Sequence, residues 1–138
     1  MPIDINAFLA MDFPGNGFKT KTVAPGEIIF LEGQPGDCAY VILKGEVQVS
    51  TVSPDGVPIT IYNMKAGELF GEIALLTSEN LRTATTASAT GCELLVIERL
   101  AFDAHLLRVD LLTQYMLDQF CNRLASVSHL VRDNNPKV

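Results

Sequence analysis

The sequence has few of the residues that catalytic and metal sites use most. Only two of its 138 residues are histidines, His105 and His129, and both lie in the last third of the chain. A metal site on a small β-barrel needs several histidine or carboxylate ligands on its strands. The motifs G-x-S-x-G and G-x-x-x-x-G-K-[ST], of a serine nucleophile and a phosphate-binding loop, are also missing. We therefore predict neither a catalytic site nor a metal site.

Cysteines and long apolar runs are scarce as well. The cysteines Cys38, Cys92 and Cys121 are far apart and odd in number, which argues against a disulfide framework and a C-x-x-C motif. No apolar run approaches the roughly eighteen residues of a membrane span. The first residues, MPIDINAFLAMDF, lack the basic start and apolar core of a signal peptide. We expect a soluble, cytoplasmic protein with reduced thiols and no membrane partner.

Basic residues are rare before residue 99. Residues 1–98 hold five lysines and arginines against twelve aspartates and glutamates, whereas residues 99–138 hold five against four. A DNA-binding domain needs a basic face, because neutralised phosphates supply most of its affinity. We therefore predict that this chain alone does not bind DNA. Of the five basic residues in the first region, only Arg82 is an arginine.

Turn-forming residues divide the first region into short segments. Pro-Gly pairs at 25–26 and 35–36 and the SPDG turn at 53–56 separate apolar or alternating runs. Turn signals every eight to twelve residues or so are typical of an all-β sandwich or barrel, which we place at about residues 18–98. The first dozen residues have a weak helical pattern. We predict one domain that comprises residues 1–138.

After Glu98 the pattern becomes helical. No proline or glycine occurs from Arg99 to Asp133, and apolar residues recur at steps of three and four. One such seam is Leu117, Phe120, Leu124, Val127 and Val131, and a second row is Leu112, Met116, Phe120, Leu124 and Ser128. So wide an apolar arc favours two surfaces, one against the barrel and one against a partner helix. We predict a homodimer through helix 112–131; the alternative is a helix packed only on its own barrel.

The stretch FGEIALLTSENLRTATT, residues 70–86, is the candidate binding site. Gly71 before a short helix lets the backbone approach a ligand closely, and the free amides there attract an anion. Arg82 can contact phosphate oxygens with two prongs, and Glu72 can accept a hydrogen bond from a sugar hydroxyl. Together these features describe a nucleotide site. The alternative is a structural Glu72–Arg82 salt bridge on a loop of the barrel.

The same stretch closely resembles the phosphate-binding cassette of cyclic nucleotide-binding domains. That pattern runs Phe-Gly-Glu-x-Ala/Gly-Leu, a short variable segment, then Arg-Ser/Thr/Ala-Ala. Upstream, APGEIIFLEGQPGDCAYVILKGEVQV at residues 24–49 resembles the glycine-marked β-roll of the family. The resemblance covers about residues 20–131. It implies a mainly β fold, an eight-stranded β-roll with a short N-terminal helix and a C-terminal helical pair whose last helix is long.

The resemblance also implies roles for single residues of this cassette. Glu72 would accept the ribose 2′-hydroxyl with help from the Gly71 backbone. Ile73 and Ala74 would open the short helix whose amides face the cyclic phosphate. Arg82 would pair with the exocyclic phosphate oxygens.

Contacts to the base are implied at further positions. Thr83 would add its amide and hydroxyl to the phosphate or to the base edge, and Val49 and Ile61 would form apolar walls. In the catabolite-activator type of the family, a Ser/Thr pair on the last helix meets the adenine. Ser128 matches one member of that pair, whereas Val127 stands where the threonine is expected.

The implied function is that of a binding module, not an enzyme. It would sense cyclic AMP, favoured over cyclic GMP, without a cofactor, and would signal through its C-terminal helix. Transcription factors of the family continue into a helix-turn-helix domain, so we expect either a free-standing sensor or the sensor half of a longer protein. Two alternatives remain: a dimerisation or docking domain with an empty pocket, and a sensor of another small anion.

Overall fold

The computed structural model describes residues 4, 18–77 and 79–133, with the side chains of the last helix described up to residue 124 and at residue 126. The strands are β1 (Phe18–Val23), β2 (Glu27–Phe30), β3 (Cys38–Val52), β4 (Pro58–Lys65), β5 (Leu69–Phe70), β6 (Thr85–Ser88) and β7 (Cys92–Glu98). The helices are α1 (Glu72–Leu76), α2 (Arg99–Leu106) and α3 (Leu111–Asp133). The predicted mainly β fold with a long C-terminal helix is thereby confirmed. The predicted N-terminal helix lies outside the described residues.

The long strand β3 connects the two sides of the roll. Its first half pairs with β5 and β7 and its second half with β4 and β6, always antiparallel. The partners change at Gly45, where φ is +90° and a Cβ would lie 2.5 Å from the Gly91 carbonyl oxygen. Only glycine tolerates both conditions. If β3 is counted once for each side, the seven strands of the described part agree with the eight that were predicted.

The core lies inside the roll, because alternate residues of each strand point inward. Side chains with almost no exposure are Val23, Ile42, Val47 and Leu94. Beside them, the rings of Phe30, Tyr40 and Phe70 pack together, with centroids 5.1–6.1 Å apart. These three rings, which we call the aromatic cluster, join β2, β3 and β5. The cluster forms the base on which the candidate site is built.

The last helix packs on α1 with one side and leaves an apolar row on another. Cys121 is buried and Leu117 is half-buried, and α3 contacts α1. The exposed row steps by four residues and consists of Leu112, Met116, Phe120 and Leu124, which are 47–68% exposed. The side chains of Val127, Ser128 and Val131 lie outside the described part. None of the described helices is long and apolar enough to cross a membrane.

Candidate ligand-binding site

A cavity opens beside α1, where β5, α1 and the start of β6 meet. The six residues that the sequence predicts for the phosphate and ribose all line it: Gly71, Glu72, Ile73, Ala74, Arg82 and Thr83. Val49, predicted as a wall for the base, lines it too. The fold thus brings together seven of the nine residues proposed from the sequence. Ile61 does not line the cavity, and the side chain of Ser128 lies outside the described residues.

Arg82 is a buried cation, with 4% of its surface exposed. Its Nη1 donates a hydrogen bond to the Gly71 carbonyl oxygen at 2.9 Å, and its Nη2 donates to Cys38 Sγ, a weak acceptor, at 3.4 Å. The guanidinium carbon lies 4.1 Å from the centre of the Phe30 ring and 5.8 Å from that of Tyr40. Such cation–π contacts hold an arginine side chain in place without neutralising it.

Within the described residues no carboxylate forms an ion pair with Arg82. The ion pairs there join Lys19 to Glu98 and Lys44 to Glu93, and neither includes Arg82. A buried charge without a counter-ion is costly, because burial removes its hydration. The guanidinium has five N–H donors, of which two have the partners named above. Three of its donors therefore have no partner among the described residues.

Glycines make the room that this guanidinium occupies. A Cβ on Gly36 would overlap Arg82 Nε and lie 2.5 Å from Cζ, and a Cβ on Gly71 would lie 2.9 Å from Nη1. Backbone hydrogen bonds of 2.8 Å, from Gly36 N–H to Asn80 O and from Arg82 N–H to Gln34 O, tie the two loops together. The second Pro-Gly pair of the sequence is thus part of the arginine's binding groove, and Pro35 pairs with Leu81 in an isolated bridge.

Glu72 lies at the first position of α1 and lines the same cavity. Burial raises the pKa of its carboxyl above the ordinary value, and its own backbone N–H and the charge of Arg82 oppose this only in part. It forms no ion pair with Arg82. The alternative of a structural Glu72–Arg82 salt bridge is therefore wrong, and the carboxylate is available to a hydroxyl donor.

The wall opposite α1 is built by three neighbouring strands. Val49 pairs with Tyr62 of β4 on one side and with Thr86 of β6 on the other, and all three line the cavity. A bulge between Val49 and Ser50 leaves Ile61 out of the pairing, 53% exposed and away from the lining. The structure therefore does not bring Ile61 to the cavity. Tyr62 takes its place, because one extra residue in a strand reverses which side chains face inward.

Comparison with known proteins identifies the family of the chain. The family model for the cyclic nucleotide-binding domain matches residues 20–108, more than half of the chain. The chain belongs to this family. It is 30% identical over 113 residues to the cGMP-dependent protein kinase egl-4 of Caenorhabditis briggsae, a match that covers 82% of this chain and 14% of the kinase.

Solved structures of the family superpose on most of the chain. The cAMP-bound form of EAL enzyme Bd1971 has a TM-score of 0.69 at 26% identity. This match covers 83% of the present chain and 30% of the enzyme's chain. The catabolite activator protein of Thermus thermophilus has a TM-score of 0.67 at 27% identity. This match covers 83% of the present chain and 54% of the activator's chain. The chain thus spans about half or less of these three proteins.

Six cavity residues and one residue behind the cassette were missed by the sequence reasoning. The six are Phe30, Tyr62, Leu69, Phe70, Ala84 and Thr86. The positions of Phe30, Tyr62 and Thr86 depend on strand pairing that no motif records. Ser128 belongs to α3, but its side chain lies outside the described part. In the described part, no three His, Cys, Asp or Glu residues come together as they would to hold a metal ion.

Arg99, the first residue of α2, contacts the cassette (residues 70–86) from the C-terminal end of α1. Its Nη1 donates to the Leu75 carbonyl oxygen at 3.1 Å, and its Nη2 donates to Ala74 O at 3.1 Å and to Asn80 Oδ1 at 2.8 Å. The last carbonyls of a helix have no partner within the helix, so these contacts satisfy them. Arg99 therefore connects the cassette to the C-terminal helices.

Proposed function

We propose that this chain is a sensor that binds a cyclic nucleotide in the cavity, with Arg82 on the phosphate and Glu72 on the ribose. It acts by binding and not by catalysis. The observation that carries the proposal is the buried guanidinium of Arg82, which has no carboxylate partner among the described residues. A cyclic phosphate supplies one negative charge and two exocyclic oxygens, which suit the fork of an arginine.

The environment of Glu72 supports a ribose contact. Its carboxyl is half-buried, and burial raises its pKa, so the ligand-free protein holds a poorly solvated acceptor. A hydroxyl donor would relieve that cost. The amides of Ile73 and Ala74 lie in the first turn of α1, where N–H groups have no partner within the helix, and they add donors for the phosphate.

We propose cyclic AMP as the preferred ligand. Relatives of the chain are named for both nucleotides, since the nematode kinase is cGMP-dependent and the EAL enzyme was solved with cAMP. The choice therefore depends on the residues near the base, among which Thr83 lines the cavity. A hydroxyl at this position assists guanine recognition in some members, and bacterial cyclic AMP receptors also have Ser or Thr there.

We further propose that the signal leaves through α3 and that two copies associate along it. The exposed row Leu112, Met116, Phe120 and Leu124 supports this, because apolar side chains four residues apart suit a partner helix. The contact between α3 and α1 links this row to the cassette. Ligand binding would then shift α3 between two arrangements, as a population shift that needs tighter binding to one of them.

Isothermal titration with cyclic AMP, cyclic GMP and 5′-AMP tests the ligand. We expect heat with both cyclic nucleotides and tighter binding of cyclic AMP. The absence of heat with either cyclic nucleotide at millimolar concentration would refute the proposal. If 5′-AMP binds as well as the cyclic compounds, the site recognises another small anion.

Sedimentation equilibrium tests the helix. We expect the wild-type chain to be dimeric and Phe120→Glu to be monomeric, because a carboxylate in an apolar seam would be buried without a partner. Ser126→Glu is the matched control, since Ser126 is exposed on the same helix but outside the row. Equal masses for the two variants would show that the row is not the interface. A dimer that binds no nucleotide would favour the docking-domain alternative.

A further inference from the structure

Three hydroxyl side chains lie on β6, and one of them differs from the others. Thr85 Oγ1 accepts a hydrogen bond from the Glu32 N–H at 2.9 Å, and Ser88 Oγ donates to the Glu46 carbonyl oxygen at 2.6 Å. Thr86 is 2% exposed, and its Oγ1 is the buried side-chain atom of the described part that has no hydrogen-bond partner. An unpartnered buried hydroxyl destabilises a fold, so this one calls for an explanation.

A purely structural role does not account for threonine at this position. A valine has nearly the same shape, favours strands equally and carries no polar atom to leave unpaired. The neighbours of Thr86 across the sheet, Phe30 and Val49, are apolar. All three line the cavity. Thr86 therefore adds a polar side chain to an apolar part of the cavity lining, where a ligand is the available partner.

We propose that Thr86 is a specificity-determining residue whose hydroxyl forms a hydrogen bond with the base of the bound nucleotide. The inference rests on the proposed function, in which Arg82 takes the phosphate and Glu72 the ribose. Phe30, the neighbour of Thr86 on one side, lies under the Arg82 guanidinium, whereas Val49, its neighbour on the other side, is the wall proposed for the base. A hydroxyl both donates and accepts, which suits a base edge that presents both kinds of group.

The test is a pair of isosteric substitutions at adjacent residues, Thr86→Val and Thr85→Val. Each is examined by isothermal titration with cyclic AMP and cyclic GMP and by thermal unfolding without ligand. We expect Thr86→Val to unfold at the same or a higher temperature than wild type, because it removes an unpaired buried hydroxyl. The loss of one neutral hydrogen bond should weaken the better-bound nucleotide by about 2- to 12-fold, and the two nucleotides should be weakened by different factors.

Thr85→Val should behave in the opposite way. It removes a hydroxyl with a partner, so its unfolding temperature should fall while both affinities stay at the wild-type values. Thr86→Ser keeps the hydroxyl and should keep the ratio of the two affinities.

The outcomes separate the inference from the function on which it rests. If wild type binds and Thr86→Val binds both nucleotides as wild type does, the inference is wrong and the proposed function stands. An equal loss for both nucleotides would overturn the assignment to the base, since ribose and phosphate are common to them. A lower unfolding temperature with unchanged affinity would make Thr86 a structural residue. A wild-type chain that binds neither nucleotide would overturn both proposals.

Discussion

Two arginines form hydrogen bonds at opposite ends of α1, and their partners differ. Arg99 donates to two carbonyl oxygens and the side-chain oxygen of Asn80 at the C-terminal end. Arg82 donates to one carbonyl and one sulfur at the N-terminal end, and lies over the ring of Phe30. Neither belongs to an ion pair within the described residues. Arg99 is half-buried and has three oxygen acceptors from the protein, whereas Arg82 is buried with one oxygen and one weak sulfur acceptor. The buried guanidinium with few acceptors is therefore the one that indicates a site.

Replacement of Arg82 should have the largest effect on ligand binding and so show the difference between the two ends of α1 most clearly. Arg82→Ala removes one strong charged contact to the phosphate, which is worth about 1.5–3 kcal/mol, so affinity for cyclic nucleotide should fall by about 10- to 150-fold. Arg82→Lys should recover only part of this, because an ammonium has no fork. Isothermal titration measures both, and Arg123→Ala, at an exposed arginine of α3, is the control. An unchanged affinity in Arg82→Ala would mean that the phosphate binds elsewhere.

The groove that holds Arg82 can be closed without replacing the arginine. Gly36 does not have a left-handed φ, so alanine suits its backbone, but the added Cβ would overlap Arg82 Nε. We expect Gly36→Ala to displace the guanidinium, to destabilise the fold by about 1–3 kcal/mol and to weaken binding by up to the loss seen in Arg82→Ala.

The double variant supplies the control for this substitution. In an Arg82→Ala background the overlapping atoms are gone, so Gly36→Ala should change stability and affinity little, and a double-mutant cycle measures the coupling. Additive effects would show that Gly36 acts on the backbone and not through Arg82.

Arg99→Ala should affect folding more than binding. Three side-chain hydrogen bonds to partly buried acceptors are lost, so the free energy of unfolding without ligand should fall by about 1–3 kcal/mol. Affinity should fall less than in Arg82→Ala, because α1 loses support and not a ligand contact. Urea denaturation and titration of the same samples measure both quantities. If Arg99→Ala weakens binding more than Arg82→Ala does, the assignment of the two roles is reversed.

The pattern of the sequence was sufficient for the fold and for the residues on one short segment. Strands up to Glu98 and helices from Arg99 follow from turn spacing and from the loss of glycine and proline. The residues at 71–74 and 82–83 are close in sequence, so a local motif records them. Even the burial of Arg82 is consistent with its small and apolar neighbours.

The site residues that the sequence did not predict depend on contacts between segments that are distant in sequence. Tyr62 and not Ile61 lines the cavity because of the bulge next to Val49. The alternation of residues in the sequence of β4 does not reveal this shift of one residue. From the sequence alone Thr86 is an ordinary strand threonine, and its place in the cavity lining follows only from the pairing of β6 with β2 and β3. Arg99 lies 24 residues from Leu75, with which it bonds, and no periodicity links them.

The smallest effect concerns the carboxyl of Glu72, which lies near Arg82 but is not paired with it. Burial raises its pKa in the folded chain, so the folded state holds its proton to a higher pH than the unfolded state does. The stability of the ligand-free protein should therefore fall as pH rises from the ordinary value of 4.5 through the raised value, and then stay level. Glu72→Gln cannot ionise, so it should be more stable than wild type at neutral pH and lack this slope. Urea denaturation across that pH range measures the stability of both proteins, and the same slope of stability against pH in both would mean that the carboxyl is solvated.

The Glu72→Gln variant should also bind cyclic nucleotide more weakly, because a neutral amide is a weaker acceptor for the ribose hydroxyl than a carboxylate. Stability gained with affinity lost is the combination expected of a binding residue. Arg99, which contacts three oxygens of the protein, should not show it.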